Sequence, residues 1–343
     1  MIFYVVTGPH LYTVMRFLET YGRHWAPRVK LVFYEQLTGM RHFPAGTYIF
    51  SDIERLSPAM TAVAAEVWNT LSAAGDHIRL LNHPSQSMRR YELLRTLYEE
   101  GSNRFNIYRL TEHRKPEHFP VFIRGENDHA GSLTPLLHSQ AELDAAISDL
   151  GRRGCARDNK VIIEFCNTAD AGGTFRKYGA FIINERIIPD HLFFSQQWMA
   201  KNEVVTQIPK ALLQEEWEYV QGNPHAAALR EIARRARIDY GRFDYGVLNG
   251  TLQVWELNTN PMLPVMGHSR VPERAPFQAY TARQVSAAFE VLDSDVSPRL
   301  RMPSSVRQTR VRRVSEVLFY LLPPSYSPYV KWKLKNWLRV IGA

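Results

Sequence analysis

The chain has 343 residues, 45% hydrophobic and 22% charged, enough to bury a large core in two or three lobes. No stretch reaches the ~20 apolar residues of a membrane span, and MIFYVVTGPH lacks the basic flank and cleavage site of a signal peptide, so a cytoplasmic protein is expected. The net charge of +8 is concentrated after Val296, where ten basic residues face one acid, Glu316, so total charge is no argument for nucleic-acid binding by the near-neutral body.

Ile2 to Val6 is an apolar run suited to a buried parallel strand. TGPH then turns the chain into a helix marked by Leu11, Met15 and Leu18. VKLVFY and GTYIFSD read as further strands, Ser57-Pro58 opens a second helix, and IRLLNHP closes the unit as strand and turn. This alternation predicts an α/β fold with a Rossmann-like open sheet over residues 1–85.

SMRRYELLRTLYEEG is a helix with Tyr91, Leu94, Leu97 and Tyr98 on one face and Gly101 ending it. FPVFIRGENDHAGS reads as a strand and a glycine-punctuated loop. SQAELDAAISDLGRRG is a helix with a Ser139/Glu142 capping box, and KVIIEFCN is the next strand. FRKYGAFIINERIIP is a hairpin turning at Asn184-Glu185, and NPHAAALREIARRARIDYG is a helix. Cys155 and Cys166 have no metal or disulfide spacing and fit a reducing compartment.

The stretch GRFDYGVLNGTLQVWELNTNP carries the most chemistry. Asn249-Gly250 is a strong signal for a tight hairpin turn. Strand alternation puts Glu256 and Asn258 on one face. The turn leaves Asp244 one residue out of phase with Glu256, an offset that a β-bulge absorbs. Two carboxylates ~5 Å apart across a hairpin repel unless a cation joins them, and Mg²⁺ takes such hard oxygen ligands. The spacing alone leaves open a solvent-facing hairpin whose charges serve solubility.

Here the sequence resembles the ATP-grasp superfamily of carboxylate–amine ligases, the D-alanine–D-alanine ligase and glutathione synthetase kind. The resemblance rests on Arg242-x-Asp244, the hairpin, Glu256-x-Asn258 and the nearby Pro261, preceded by LLNHPSQSMRRYELLRTLYEEG, FPVFIRGENDHAGS and VIIEFCNT. It covers about residues 1–290. It implies an ATP-grasp fold: a Rossmann-like domain at 1–85, a linker helix and central lobe at 86–165, and a second lobe at 166–295, the two lobes clasping ATP. A basic tail, 296–343, follows.

The resemblance further implies ATP with two Mg²⁺ ions, Mn²⁺ being a substitute, held by Asp244, Glu256 and Asn258, with Arg242 on the reaction intermediate. Arg124, where many members have lysine, would meet phosphate, and Gly131 and Ser132 would belong to the covering loop. Glu164, Phe165 and Cys166 would cup adenine, although a plain buried core strand explains Val161 to Ile163 equally well. Arg176 and Lys177 alternate faces, and Arg176 is the one expected to reach the site. Lys201 is expected on phosphate, an exposed surface lysine being the alternative. Thr7, His10, Asn260 and His268 are candidates for substrate recognition. His83 and His129 fit structural roles.

The implied activity is formation of an amide or peptide bond from a small-molecule or peptide carboxylate and an amine, through an acyl phosphate, with release of ADP and phosphate. A kinase on the same fold and a non-catalytic protein acting through its tail are the alternatives. In PYVKWKLKNWLRVIG, apolar and basic stripes separate at helical spacing. Such a helix suits an anionic membrane surface or packing on the body, with a polyanion such as RNA as a third partner. A homodimer is compatible with all of this.

Overall fold

The computed structural model describes residues 1–40, 42–75, 77–128, 130–199 and 208–293, and the backbone of 299–301. Lys201, His129 and the amphipathic stretch 328–342 lie outside the described residues.

The first unit contains β1 (Ile2–Val6), α1 (Tyr12–Glu19), β2 (Val29–Phe33), β3 (His42–Pro44), β4 (Gly46–Phe50), α2 (Pro58–Ser72) and β5 (Ile78–Leu81). Its sheet runs β2-β1-β4-β5, all parallel, as the strand–helix alternation predicts. β1 is buried along its whole length because it is covered on both faces. Ile2, Tyr4 and Val6 pack with Val14 and Phe17 of α1, while Phe3 and Val5 pack with Val63 and Val67 of α2. The buried face of α1 is Thr13, Val14, Phe17 and Leu18, so the apolar stripe is rotated from the expected Leu11–Met15–Leu18 line. The helix begins after a 3-10 turn at Gly8–His10, which resets its phase. Ser57 caps α2 by accepting from the Met60 amide.

The middle unit follows α3 (Arg90–Glu99) and holds β6 (Ile107–Arg109), β7 (Val121–Gly125), α4 (Gln140–Arg152) and β8 (Lys160–Glu164), an antiparallel sheet in the order β6-β8-β7. Ser139 caps α4 by accepting from the Glu142 amide, but Glu142 returns its bond to the His138 amide, one residue before the cap.

The last unit is an antiparallel sheet, β10-β9-β11-β12, formed by β9 (Phe175–Ile183), β10 (Arg186–Ser195), β11 (Tyr240–Leu248) and β12 (Thr251–Asn258). α5 (Lys210–Gly222), α6 (Ala226–Ala236) and α7 (Ala275–Leu292) accompany it. Both hairpin turns have left-handed backbone, φ 45° and 66° at Asn184 and Glu185 and φ 50° and 77° at Asn249 and Gly250, matching the twist of the strands they join. α7 returns to the first unit: Val285 and Phe289 share a core with β1, α1, Phe181 and Ile183. Its end is pinned there by Asp293, which meets the Met1 amino group at 2.5 Å and Arg28 at 2.7 Å. Arg299–Arg301, within the basic tail, forms β13 and pairs antiparallel with β3. No described helix is long and apolar enough to cross a membrane.

Candidate active site

The three units meet around a cavity of about 380 Å³. The β11–β12 hairpin forms its charged wall. Asp244 pairs with Glu256 and Arg242 with Asn258, while Tyr245 pairs with Val254. The bulge therefore falls at Trp255, and that one extra residue brings Asp244 level with Glu256. Arg242, Asp244, Glu256 and Asn258 all line the cavity. Gly246 gives the bulged Trp255 its room, since a Cβ there would lie 2.8 Å from the indole.

Basic side chains hold the acids in place. Lys177 reaches Asp244 Oδ2 at 2.6 Å, Arg242 Nε donates to Asp244 Oδ1 at 3.2 Å, and Arg90 meets Glu256 Oε1 at 2.7 Å. Burial raises the Asp244 pKa, but Lys177 and Arg242 outweigh it and hold the carboxyl down at about 2. Burial likewise works against the Arg242 charge, and Asp244 and Asp190 more than restore it. Asn258 Oδ1 accepts the Asn260 amide at 2.8 Å, which fixes the side chain at the end of β12.

Strand alternation at Arg176–Lys177 is present with the opposite phase to that expected. Lys177 lines the cavity, whereas Arg176 pairs with Glu215 at 2.5 Å and Asp170 at 2.6 Å and does not line it. The cause is the register of β9 on β11, which sets Gly179 opposite Asp244 and so puts Lys177 on the face of the acids.

Arg124 lies on β7 at the opposite wall. Burial, with Arg90 adding to it, pushes its guanidinium down to about 10. Its NH2 donates to the Asp128 carbonyl at 3.2 Å, and its Nε is buried with no hydrogen-bond partner among the described residues. A half-buried guanidinium on the cavity wall suits an anion. Gly131, at φ 101°, lines the cavity beside it. Ser132 does not: its hydroxyl faces the Ile123 and Thr134 carbonyls.

The far end is apolar. Phe122, Ile163, Phe165, Phe175 and Trp198 line it, with Phe165 edge-on to Trp198 at 5.8 Å. Glu164, Phe165 and Cys166 line the cavity, but their backbone is partly engaged. The Glu164 amide donates to the Asn106 carbonyl at 3.0 Å and the Phe165 amide to the Pro120 carbonyl at 2.9 Å. The Glu164 carboxylate is structural, accepting from the amides of Asn106, Glu117 and His118 and from the Tyr108 hydroxyl. Thr168 adds a buried hydroxyl that lacks a partner.

Arg90 is a residue of the candidate site that reading the sequence missed. It is buried at the start of α3, donates to the carbonyls of Gly125, Glu126 and Asp128 at 3.1, 2.7 and 3.0 Å, and so ties the glycine loop to Glu256. A signal existed: Arg90 heads the buried stripe Leu93, Leu94 and Leu97 at i+3, i+4 and i+7. Of the proposed recognition residues, His10 and Asn260 line the cavity, and Thr7 and His268 do not. His83 is structural, its Nδ1 accepting the Ser85 amide at 3.2 Å.

No protein-family model matches the chain, and no curated protein matches it. Solved structures do align with it. A D-alanine–D-alanine ligase from Bacillus anthracis complexed with ATP is 14% identical, with 84% of this chain and 97% of that one covered and a TM-score of 0.46. The ATP-grasp ligase PsnB complexed with a minimal precursor is 13% identical, with coverage of 83% and 98% and a TM-score of 0.47. The macrocyclase MdnC from Microcystis aeruginosa MRC, bound with precursor peptide MdnA, is 10% identical, with coverage of 83% and 99% and a TM-score of 0.42. The chain is similar to ATP-grasp ligases. What the site can do chemically follows from the residues around the cavity.

Those residues fit a divalent cation and a nucleotide. Among the described residues no three His, Cys, Asp or Glu side chains converge. Two carboxylates, Asp244 and Glu256, and the Asn258 amide line the cavity on paired strands, a hard oxygen set that suits Mg²⁺ when phosphate and water complete the shell. The Arg124 guanidinium and the aromatic end suit a phosphate chain and a base.

Proposed function

We propose that the protein is an ATP-dependent carboxylate–amine ligase that forms an amide or peptide bond and releases ADP and phosphate. The observation that carries this reading is the β11–β12 register, which puts Arg242, Asp244, Glu256 and Asn258 on the wall of one cavity. The base of ATP occupies the apolar end between Phe122, Phe165 and Trp198, and Arg124 and Lys177 receive its phosphates. Asp244, Glu256 and Asn258 hold one or two Mg²⁺ ions, which neutralise phosphate charge when bound. Arg242 stands between Asp244 and Asp190 with its charge secured, placed to stabilise negative charge developing on the acid's carbonyl oxygen. The carboxylate substrate attacks the γ-phosphate and becomes an acyl phosphate, and the amine then displaces phosphate.

A screen for ADP release across carboxylates and amines tests the reading. The expected outcome is ADP release that needs both an acid and an amine and yields a stable amide. A stable phosphorylated product in its place selects a kinase. Glu256→Ala is expected to abolish turnover while leaving the protein folded, as read from its circular dichroism spectrum, with a lowered melting temperature because buried Arg90 loses its carboxylate. Full activity in that variant sinks the metal assignment.

A further inference from the structure

Amide formation sets a problem that Arg242 and the acids do not solve: an amine is protonated at neutral pH and must lose a proton before it attacks. At the end of the cavity away from the aromatic residues, the first sheet presents the carboxyl-terminal ends of β1 and β4, where ligands bind in open parallel sheets. His10 comes from the turn after β1 and Asp52 from the turn after β4. Asp52 is fully buried and sits in left-handed backbone, φ 59°, an uncommon conformation held by its surroundings. It accepts from His10 Nδ1 at 3.0 Å, from the Thr7 hydroxyl and from Arg55.

This network decides the histidine's tautomer. Thr7 Oγ1 gives its hydrogen to Asp52 and lies 2.8 Å from His10 Nδ1, so the hydrogen between Thr7 and His10 comes from Nδ1. In the neutral ring Nε2 therefore carries the lone pair. The Nδ1 edge faces the buried Asp52, while the ring stays 29% exposed and lines the cavity. The backbone is fixed as well, since Asn260 Nδ2 donates to the His10 carbonyl at 3.2 Å. Asn260 in turn accepts from the hydroxyls of Tyr4 at 2.9 Å and Thr13 at 2.7 Å. A cavity-lining histidine whose Nδ1 is tied to a buried carboxylate is the arrangement of an oriented base.

We propose that His10, oriented by Asp52, is the general base for the amine substrate. The inference rests on the ligase reading and names the group that reading lacks. His10 Nε2 takes a proton from the ammonium, and the freed nitrogen pair forms the C–N bond. The C–O bond to phosphate breaks, and phosphate leaves with that electron pair. Asp52 stabilises the imidazolium and is not itself protonated.

Hydroxylamine separates the base from the rest of the machinery, because it is already unprotonated at neutral pH and traps acyl phosphates as hydroxamates. The experiment uses the full chain with ATP, Mg²⁺ and the acid found by the ADP screen. His10→Gln is expected to lower amine-dependent ligation by about 10²- to 10⁴-fold while hydroxamate formation is kept. Asp52→Asn is expected to show the same split, more weakly. Hydroxamate formation kept together with an unchanged amine-dependent rate in His10→Gln overturns the dyad alone, and so does equal loss of both. Absence of hydroxamate from the wild type with every acid overturns the ligase reading and the dyad with it.

Discussion

At the scale of single residues, the site is an exercise in charge compensation. Two acids on adjacent strands are kept together by Lys177, Arg242 and Arg90, so the same cations that stabilise the hairpin are on hand for phosphate. This separates Lys177 from its neighbour. Lys177→Met is expected to lower ATP-dependent turnover by about 10²-fold, the scale of losing one charged donor at a reacting centre. Arg176→Met removes ion pairs to partly exposed Glu215 and Asp170, which solvent screens. Its turnover is expected to match the wild type. Steady-state ADP release on the two variants decides the matter, and the reverse ranking would restore Arg176 to the site.

At the scale of elements, what was legible in the sequence was whatever is set locally. The Asn249-Gly250 turn and period-two alternation predict that Asp244 and Glu256 lie nearly opposite, and the bulge at Trp255 completes the match. The parallel first sheet follows from strand–helix alternation. What was not legible depends on pairing between distant strands. Alternation says that Arg176 and Lys177 face opposite ways, but only the β9–β11 register, with Gly179 opposite Asp244, says which way. Arg90 was hidden for the same reason, because its partners are Glu256 and the carbonyls of a loop far along the chain. Gly179 shows how tightly that register is held. Its missing side chain leaves room for the His191 ring from β10, and a Cβ would run into that ring. His191 is buried and its Nδ1 lies 2.8 Å from Asp190, which also meets Arg242, so the ring has little freedom to yield. Gly179→Ala is expected to destabilise the fold by about 1–3 kcal/mol through overpacking, read from the shift in denaturation midpoint. A midpoint equal to the wild type would mean that His191 moves aside easily.

At the scale of the whole molecule, the question is whether the first sheet is a separate lobe or part of one cooperative body. The packing argues for one body. Val285 and Phe289 of α7, near the end of the described chain, share a core with Ile2 and Tyr4 of β1 and with Phe181 and Ile183 of β9. Polar joints reinforce it: Asp293 holds the Met1 amino group and Arg28, Tyr4 and Thr13 donate to Asn260, and Asn82 receives the amides of Asp239 and Tyr240. Melting the first sheet alone would expose that core and leave these buried groups unpaired, so it gains little by unfolding on its own. Scanning calorimetry is therefore expected to show a single transition for residues 1–293. ATP with Mg²⁺ at 100 times its dissociation constant adds about 2.7 kcal/mol, which for a chain of this size raises the midpoint by about 4 °C. Because the cavity is walled by all three units, the ligand is expected to move the whole transition. Two separate transitions, with ATP and Mg²⁺ displacing only one of them, would show that the first sheet folds as its own domain and that the shared core around Phe289 does not couple it to the catalytic wall.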